Sequence, residues 1–259
     1  MTDAPRTGKT RLDLLIVERR LAPSRERARA FILAGRVLVN EQKIDKPGAT
    51  VPGDAALRLL GNDPPYVSRG GLKLAAALEH WQIPIAERAC IDVGASTGGF
   101  TDCLLQHGAA LVIAVDTGFG QMAMKLRNHP RVRLLERTNA RLLEPKSLQS
   151  GPLFRPGEPQ PALLAMDVSF ISATLLLPAV LAAAPSLAEA VILVKPQFEA
   201  GREHVGKGGI VRDPAAHQLA IARVEQCVQE LGWNVVETVP SPITGAEGNR
   251  EFLLYAKRP

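Results

Sequence analysis

The chain has 259 residues, 46% hydrophobic and 22% charged, which excludes a disordered, collagen-like or low-complexity polypeptide and suits one large domain plus a small module. Its net charge of +5 is uneven: residues 1–63 hold 12 basic and 8 acidic side chains (+4), residues 64–259 hold 19 and 18 (+1). A local basic surplus points to a nucleic-acid-facing front and a nearly neutral body.

Residues 11–35 predict two short helices. The first carries Leu12, Leu15 and Ile16 on one face; the second follows Ser24, an N-cap residue, and stops at Gly35. Arg36–Asn40 alternates like a strand, Asn40-Glu41 fits a hairpin turn, and a second extended piece spans Ala55–Leu60. A helix pair backed by a small sheet is a module of about sixty residues with little core. Asn62-Asp63-Pro64-Pro65 reads as a linker, because successive prolines halt regular structure. Residues 1–63 are therefore one domain, 64–66 the connection and 67–259 the second domain.

Beyond the linker, apolar runs recur at Ala89–Val93, Leu111–Val115, Val132–Leu135, Leu163–Met166, Val191–Val194, Asn234–Val239 and Phe252–Tyr255. Helical patterns fall between most of them, notably Gly99–His107, Ala173–Ala184 and Pro214–Leu231. Such alternation predicts an α/β fold, a mostly parallel sheet with helices on both faces. The last two runs have no helix between them and predict an antiparallel pair at one edge.

Cys90, Cys103 and Cys227 show no CxxC spacing. Neither a disulfide framework nor a metal site is expected, and a reducing cytoplasm fits. Residues 1–10 lack the apolar core of a signal peptide, and the most apolar stretch, Thr174 to Pro185, is about half a membrane span.

Asp92-Val-Gly94-Ala-Ser96-Thr-Gly98-Gly99 joins the first strand of the large domain to a helix. Glycines there allow a tight turn and close approach of a ligand to the backbone, where doubly wound folds bind nucleotides. Asp116 ends the next strand and can accept from both hydroxyls of an unphosphorylated ribose. Four readings stay open. A dinucleotide site wants a glycine where Ser96 stands. A nucleophile elbow would use Ser96 with Asp167 and His204 or His217. S-adenosylmethionine (SAM) has an adenosine ribose for Asp116 and no pyrophosphate, and the last reading is a purely structural turn. Gly201–Gly208 resembles a phosphate loop but lacks its terminal hydroxyl residue; it reads as a mobile loop beside the site or an ordinary connection.

Asp167 and Lys195 each follow an apolar strand, so a parallel sheet would open both at its carboxyl edge. Lys73 lies on a helix before the first strand and Glu251 begins the last one. Together they could form a Lys–Asp–Lys–Glu cluster. A ribose hydroxyl holds its proton tightly, and a neutral lysine amine could take it while a sulfonium methyl is displaced in line, with no metal required.

With these residues assembled, the chain resembles the TlyA (hemolysin A) family, in which an S-four-like RNA-binding module precedes an FtsJ-like rRNA methyltransferase domain. The module matches at Arg11-Leu-Asp13, Pro23-Ser-Arg25, Ala34-Gly-Arg-Val37 and Gly53-Asp54. The second half matches at Val67-Ser-Arg-Gly-Gly71, Asp92–Phe100, Val115–Gln121, Glu136–Arg141, Asp167–Ser172, Val194–Glu199, Val205–Asp213 and Gly248–Glu251. The resemblance implies a Rossmann-like SAM-dependent methyltransferase sheet behind an α+β RNA-binding module, acting on a cytidine ribose 2′-hydroxyl in ribosomal RNA. It implies Lys73, Asp167, Lys195 and Glu251 as the catalytic tetrad, and Asp92, Gly94, Ser96, Gly98, Gly99, Asp116 and Asn139 as cofactor-binding residues. Lys195, on the rim beside Asp167, is the better candidate base.

Arg11, Arg19, Arg20, Arg25, Arg27, Arg29 and Arg36 cluster along the predicted helix pair, with Glu26 the one acid between Arg19 and Arg36. Arginine suits phosphate contacts on structured RNA, so ribosomal RNA or a ribosomal subunit is the expected partner. A non-catalytic RNA-binding or assembly factor is the main rival. A membrane-lytic protein is the weaker one, for want of an apolar span or a basic amphipathic helix outside the module.

Overall fold

The structure, a computed structural model, describes residues 8–60, 65–150, 153–155, 157–245 and 248–259. The chain divides into two units, Met1–Asp63 and Pro64–Pro259. Most of the expected linker, residues 62–64, lies outside the described residues.

The first unit runs β1 (Lys9–Arg11), α1 (Leu12–Glu18), α2 (Arg25–Leu33), β2 (Val37–Val39), β3 (Gln42–Lys43), β4 (Thr50–Pro52) and β5 (Leu57–Leu59). Leu12, Leu15 and Ile16 recur at helical spacing on α1 and are buried with Ala28, Phe31 and Ile32 of α2. Ser24 Oγ accepts from the Arg27 amide at 3.2 Å and starts α2. Asn40 and Glu41 have φ of 49° and 64°, the paired positive angles of a type I′ hairpin between β2 and β3. Two small sheets form where one was expected: β3-β2-β5, and a separate β1–β4 pair. The three-residue strands Lys9–Arg11 and Thr50–Pro52 pair only with each other, and neither carries an alternation a sequence could reveal.

The second unit runs α3 (Gly70–His80), β6 (Ala89–Val93), α4 (Gly99–Gln106), β7 (Leu111–Val115), α5 (Met124–Arg127), β8 (Val132–Leu135), β9 (Pro161–Met166), α6 (Leu177–Ala183), β10 (Glu189–Val194), α7 (Pro196–Glu199), α8 (Pro214–Glu230), β11 (Asn234–Pro240) and β12 (Phe252–Lys257). All seven expected strands are present in one sheet of order β11-β12-β10-β9-β6-β7-β8. β12 runs antiparallel to β10 and β11 and the other pairs are parallel. Ile91, Ile113, Leu164 and Ile192 face one side with α6 and α8. Cys90, Val112, Leu163 and Val191 face the other with α3 and α4. Burial on both faces explains why these strands read as continuous apolar runs. The expected helix Ala173–Ala184 splits into a 3-10 turn, Ala173–Leu175, and α6, because Pro178 lacks an amide hydrogen and is tolerated only where a helix begins.

After β6 the chain adds β7 and β8 on one side, then returns to place β9 on the other. The loops leaving β6 and β9 therefore diverge and open a crevice at the carboxyl edge.

Candidate functional site

Gly94 ends β6 with φ +87°, and a Cβ there would lie 2.3 Å from the Asp167 carbonyl oxygen. Only glycine lets the ends of β6 and β9 come this close. Ser96 turns with φ 47°, and its amide donates to Asp116 Oδ2 at 2.8 Å. The Gly118 amide donates to Asp116 Oδ1 at 2.6 Å. These two bonds aim the carboxylate and leave it lone pairs for further donors. Gly99 opens α4 so tightly against Ser68 that a Cβ would sit 2.2 Å from its Oγ.

Two cavities flank the Gly94 turn. One, of about 390 Å³, is walled by Val93, Asp116, Asn139, Val168, Ile171 and Leu176. The other, of about 280 Å³, is lined by Ser68, Arg69, Lys73, Phe100, Lys195 and Thr244. Gly94, Ser96, Asp167 and Ser169 belong to both walls. The larger cavity carries two carboxylates and no lysine or arginine; the smaller carries three cations and shares Asp167. A pyrophosphate would lie beside two carboxylates with no counter-charge, so a dinucleotide does not fit the larger cavity. SAM does fit it: the diol of a ribose can donate to Asp116, a cationic sulfonium and ammonium suit the carboxylates, and apolar walls suit an adenine.

Two lysine–carboxylate pairs stand at the smaller cavity. Lys195 Nζ lies 2.6 Å from Asp167 Oδ1 and donates to Ser169 Oγ at 2.7 Å. Lys73 Nζ donates to Glu251 Oε2 at 2.5 Å across 178 residues of sequence. Lys73, Asp167 and Lys195 reach the cavity surface, while Glu251 is buried behind Lys73 and lines neither cavity. Asn249 holds the segment before β12: its Nδ2 donates to the Gly209 carbonyl at 2.9 Å and its Oδ1 accepts from the Val211 amide at 3.0 Å.

Comparison with known proteins agrees with this geometry. The sequence profile of the FtsJ-like methyltransferases matches residues 66–258, and that of the S4 domain matches residues 10–56. The YqxC protein of Bacillus subtilis (strain 168) is 46% identical over 97% of this chain and 86% of its own. The 16S/23S rRNA (cytidine-2'-O)-methyltransferase TlyA of Mycobacterium tuberculosis (strain ATCC 25618 / H37Rv) is 43% identical over 96% of this chain and 90% of its own. The chain belongs to the TlyA family. A solved structure from Streptococcus thermophilus that bears a hemolysin name superposes with a TM-score of 0.71 at 41% identity, covering 98% of this chain and 90% of its own.

Within this TlyA-family chain, the expected cofactor residues fall into three groups. Gly94, Ser96, Asp116 and Asn139 line the larger cavity. Gly99 lines the smaller one. Gly98 and Asp92 line neither. Gly98 supplies the φ of +95° that precedes α4. Asp92 is fully buried beneath the loop, where its Oδ2 accepts from Thr101 Oγ1 at 2.6 Å. Its other carboxylate oxygen has no partner among the described residues, and burial pushes the group up to about 7. Asp92 thus supports the loop from below.

The elbow reading loses its base. Ser96 Oγ donates to Gln121 Oε1 at 3.3 Å, and no histidine lines either cavity. His217 is buried with Nε2 2.9 Å from the Val211 carbonyl, and His204 stands beside Glu203. The Gly201–Gly209 segment forms two short 3-10 turns and lines neither cavity; its Gly209 carbonyl accepts from Asn249.

The seven module arginines do not share one role. Arg11 and Arg25 both pair with the fully buried Asp13, each with a contact of 2.9 Å, and the Arg11 guanidinium holds that carboxyl far below the usual range. Arg19 donates to the Ala55 and Gly53 carbonyls, both at 2.6 Å. Arg36 donates to the Leu60 carbonyl at 2.8 Å and, like Arg27, covers the Phe31 ring. Arg20 and Arg29 are exposed and have no partner among the described residues. Ser169, Arg69 and Asn249 lie within the resemblance motifs, but nothing in the sequence distinguishes their hydroxyl, guanidinium and amide groups until the fold brings them to a cavity or a loop junction. Among the described residues no helix is long and apolar enough to cross a membrane, and no cluster of potential metal ligands occurs.

Proposed function

We propose that this protein transfers a methyl group from SAM to the ribose 2′-hydroxyl of a cytidine in ribosomal RNA, of the small subunit, the large subunit or both. The supporting observation is the shared wall of Gly94, Ser96, Asp167 and Ser169 between an acidic cavity and a basic one. One cavity suits a cationic donor, the other a ribose with its phosphates, and the two meet where a methyl group would cross. The name of the Mycobacterium tuberculosis relative supports cytidine as the nucleoside.

SAM supplies a sulfonium-bound methyl carbon open to in-line attack. Asp116 would accept from the donor's ribose hydroxyls, Asn139 and Ser96 would complete the holding surface, and Gly94 keeps the wall thin enough for two ligands to meet. Lys195 Nζ can act as the base only when its amine is unprotonated, and then receives the proton of the acceptor hydroxyl. Asp167, 2.6 Å away, stabilises the ammonium that forms, and Ser169 fixes the amine's direction. Lys73 holds the acceptor ribose and its phosphates, with Glu251 anchoring its ammonium. Alignment supplies much of the rate, because two oriented reactants escape the entropic cost of encounter.

In this reading residues 1–63 bind RNA through the module arginines, 67–259 carry the chemistry and 64–66 connect them. A ribosomal RNA substrate supports a cytoplasmic location. The test is Lys195→Ala in the full-length protein. SAM affinity by calorimetry stays unchanged while methyl transfer to ribosomal subunits falls by about 10²–10⁴-fold, the range for a lost general base. A fully active variant removes Lys195 from the role. A wild-type protein that binds rRNA yet leaves its riboses unmethylated is an assembly factor instead.

A further inference from the structure

The loop after β9 and the turn after β10 are fastened to each other twice. The first joint, at the shared wall, is Lys195 with Asp167 and Ser169. The second lines neither cavity, although Ile171 and Leu176 on either side of it wall the larger one. There the Glu199 carboxylate accepts from Ser172 Oγ at 2.5 Å and from the Ala173 amide at 2.7 Å. Glu199 is 2% exposed, and burial raises its carboxyl above the ordinary value. Its carboxylate has no ion pair among the described residues, and Arg223 donates to its backbone carbonyl at 2.5 Å instead. An apolar side chain would fill this space without the desolvation cost of an acid. A buried carboxylate here therefore calls for an explanation beyond packing.

The local geometry supplies one. α7 is a single turn: the Phe198 amide donates to the Lys195 carbonyl and the Ala200 amide to the Pro196 carbonyl, both at 2.9 Å. Pro196 fixes the backbone just after Lys195, so Glu199 is rigidly linked to the amine-bearing residue. On the other strand end, Ser172 follows Asp167 and Ser169 within one short loop. The two segments are like rails, with the ion pair as one rung and the Ser172–Glu199 bond as the other.

We propose that Glu199 is a positioning residue for methyl transfer, clamping the Asp167–Ser172 loop to the Lys195–Glu199 turn and so fixing where the Lys195–Asp167 pair stands. The proposal rests on Lys195 receiving the proton. Full-length Glu199→Ala, Glu199→Gln and Ser172→Ala proteins are compared for kcat and KM on ribosomal subunits, SAM affinity by calorimetry, and melting temperature. Glu199→Ala lowers kcat by about 10²-fold, the cost of an ångström-scale misplacement, with KM for the ribosomal subunit unchanged and a smaller loss of SAM affinity, since Val168 and Ile171 of the clamped loop wall the larger cavity. Glu199→Gln restores most of it, since its amide oxygen still accepts from Ala173 and its amide nitrogen can donate to Ser172. Ser172→Ala falls between. A folded Glu199→Ala protein with wild-type kcat overturns the proposal, as does a Glu199→Gln no better than Glu199→Ala. If Glu199→Ala fails to fold, wild-type kcat in Ser172→Ala overturns it. Lys195→Ala, measured alongside, separates the layers. If it is inactive while Glu199→Ala is normal, only the clamp fails; if it is active, the base assignment fails.

Discussion

The two lysine–carboxylate pairs are chemically the same couple at nearly the same length, 2.6 Å for Lys195–Asp167 and 2.5 Å for Lys73–Glu251. They differ in which member faces the cavity. Asp167 is 19% exposed and belongs to both cavity walls, so carboxylate and amine both face a cavity. The Glu251 side chain is 2% exposed and only its lysine reaches the surface. In the proposed reaction the first pair takes up the proton, and the second is an anchored cation. An ion pair's length says little about its work, whereas the solvent or ligand access of each partner says much.

That contrast is sharpest in stability. Lys73→Ala strands the Glu251 carboxylate in the interior and costs about 3–5 kcal/mol, as for other broken buried pairs; Lys73→Ala with Glu251→Gln recovers much of it. Lys195→Ala costs less, because the Asp167 side chain is 19% exposed, even though its buried Oδ1 loses the ammonium. Equal losses in chemical denaturation would break the comparison. Asp92 extends it to a buried acid with no cation at all. Its folded value near 7 lies above the ordinary one, so the folded state holds the proton longer than the unfolded chain. The associated stability is fully present at low pH and is lost as pH rises through about 7. Asp92→Asn removes this loss, and its melting temperature relative to wild type rises between pH 5 and pH 8. A constant difference would mean the acid is ionised throughout.

The smallest effects lie in the module, where Asp13 is another buried carboxylate, paired twice. Arg25→Ala weakens folding by taking a partner from Asp13. Arg20→Ala and Arg29→Ala leave folding alone and each lower the salt dependence of RNA binding by about one unit of slope. Unchanged salt slopes in both would move the RNA-binding surface to other residues.

Much of the site was legible because a parallel sheet obeys a simple rule. A polar residue just past an apolar strand sits on the carboxyl rim, and Asp116, Asp167 and Lys195 follow it. Lys73 and Glu251 could be suspected singly, but their pairing spans the whole catalytic unit and no local pattern records it. Asp92 looked like a cofactor ligand because it lies in the glycine-rich motif, yet strand alternation turns its side chain under the loop. The arginines were read as one RNA-facing cluster, although Arg11, Arg19, Arg25 and Arg36 also hold the module together. Glu199 closes a motif of the family resemblance, but the motif assigns it no role, since one acid on a short turn acquires meaning only from what packs over it.

The amino-acid order by itself determined the seven strands, the turn chemistry of Gly94 and Gly98, and the front-loaded positive charge, because all three depend on neighbours a few residues away. Only the tertiary structure decided that one cavity would be acidic and the next basic, that Lys73 would meet Glu251, and that Glu199 would bridge two loops. Those facts arise from residues far apart in the chain sharing one sheet edge, where distance and desolvation, rather than sequence spacing, set what each charge can do.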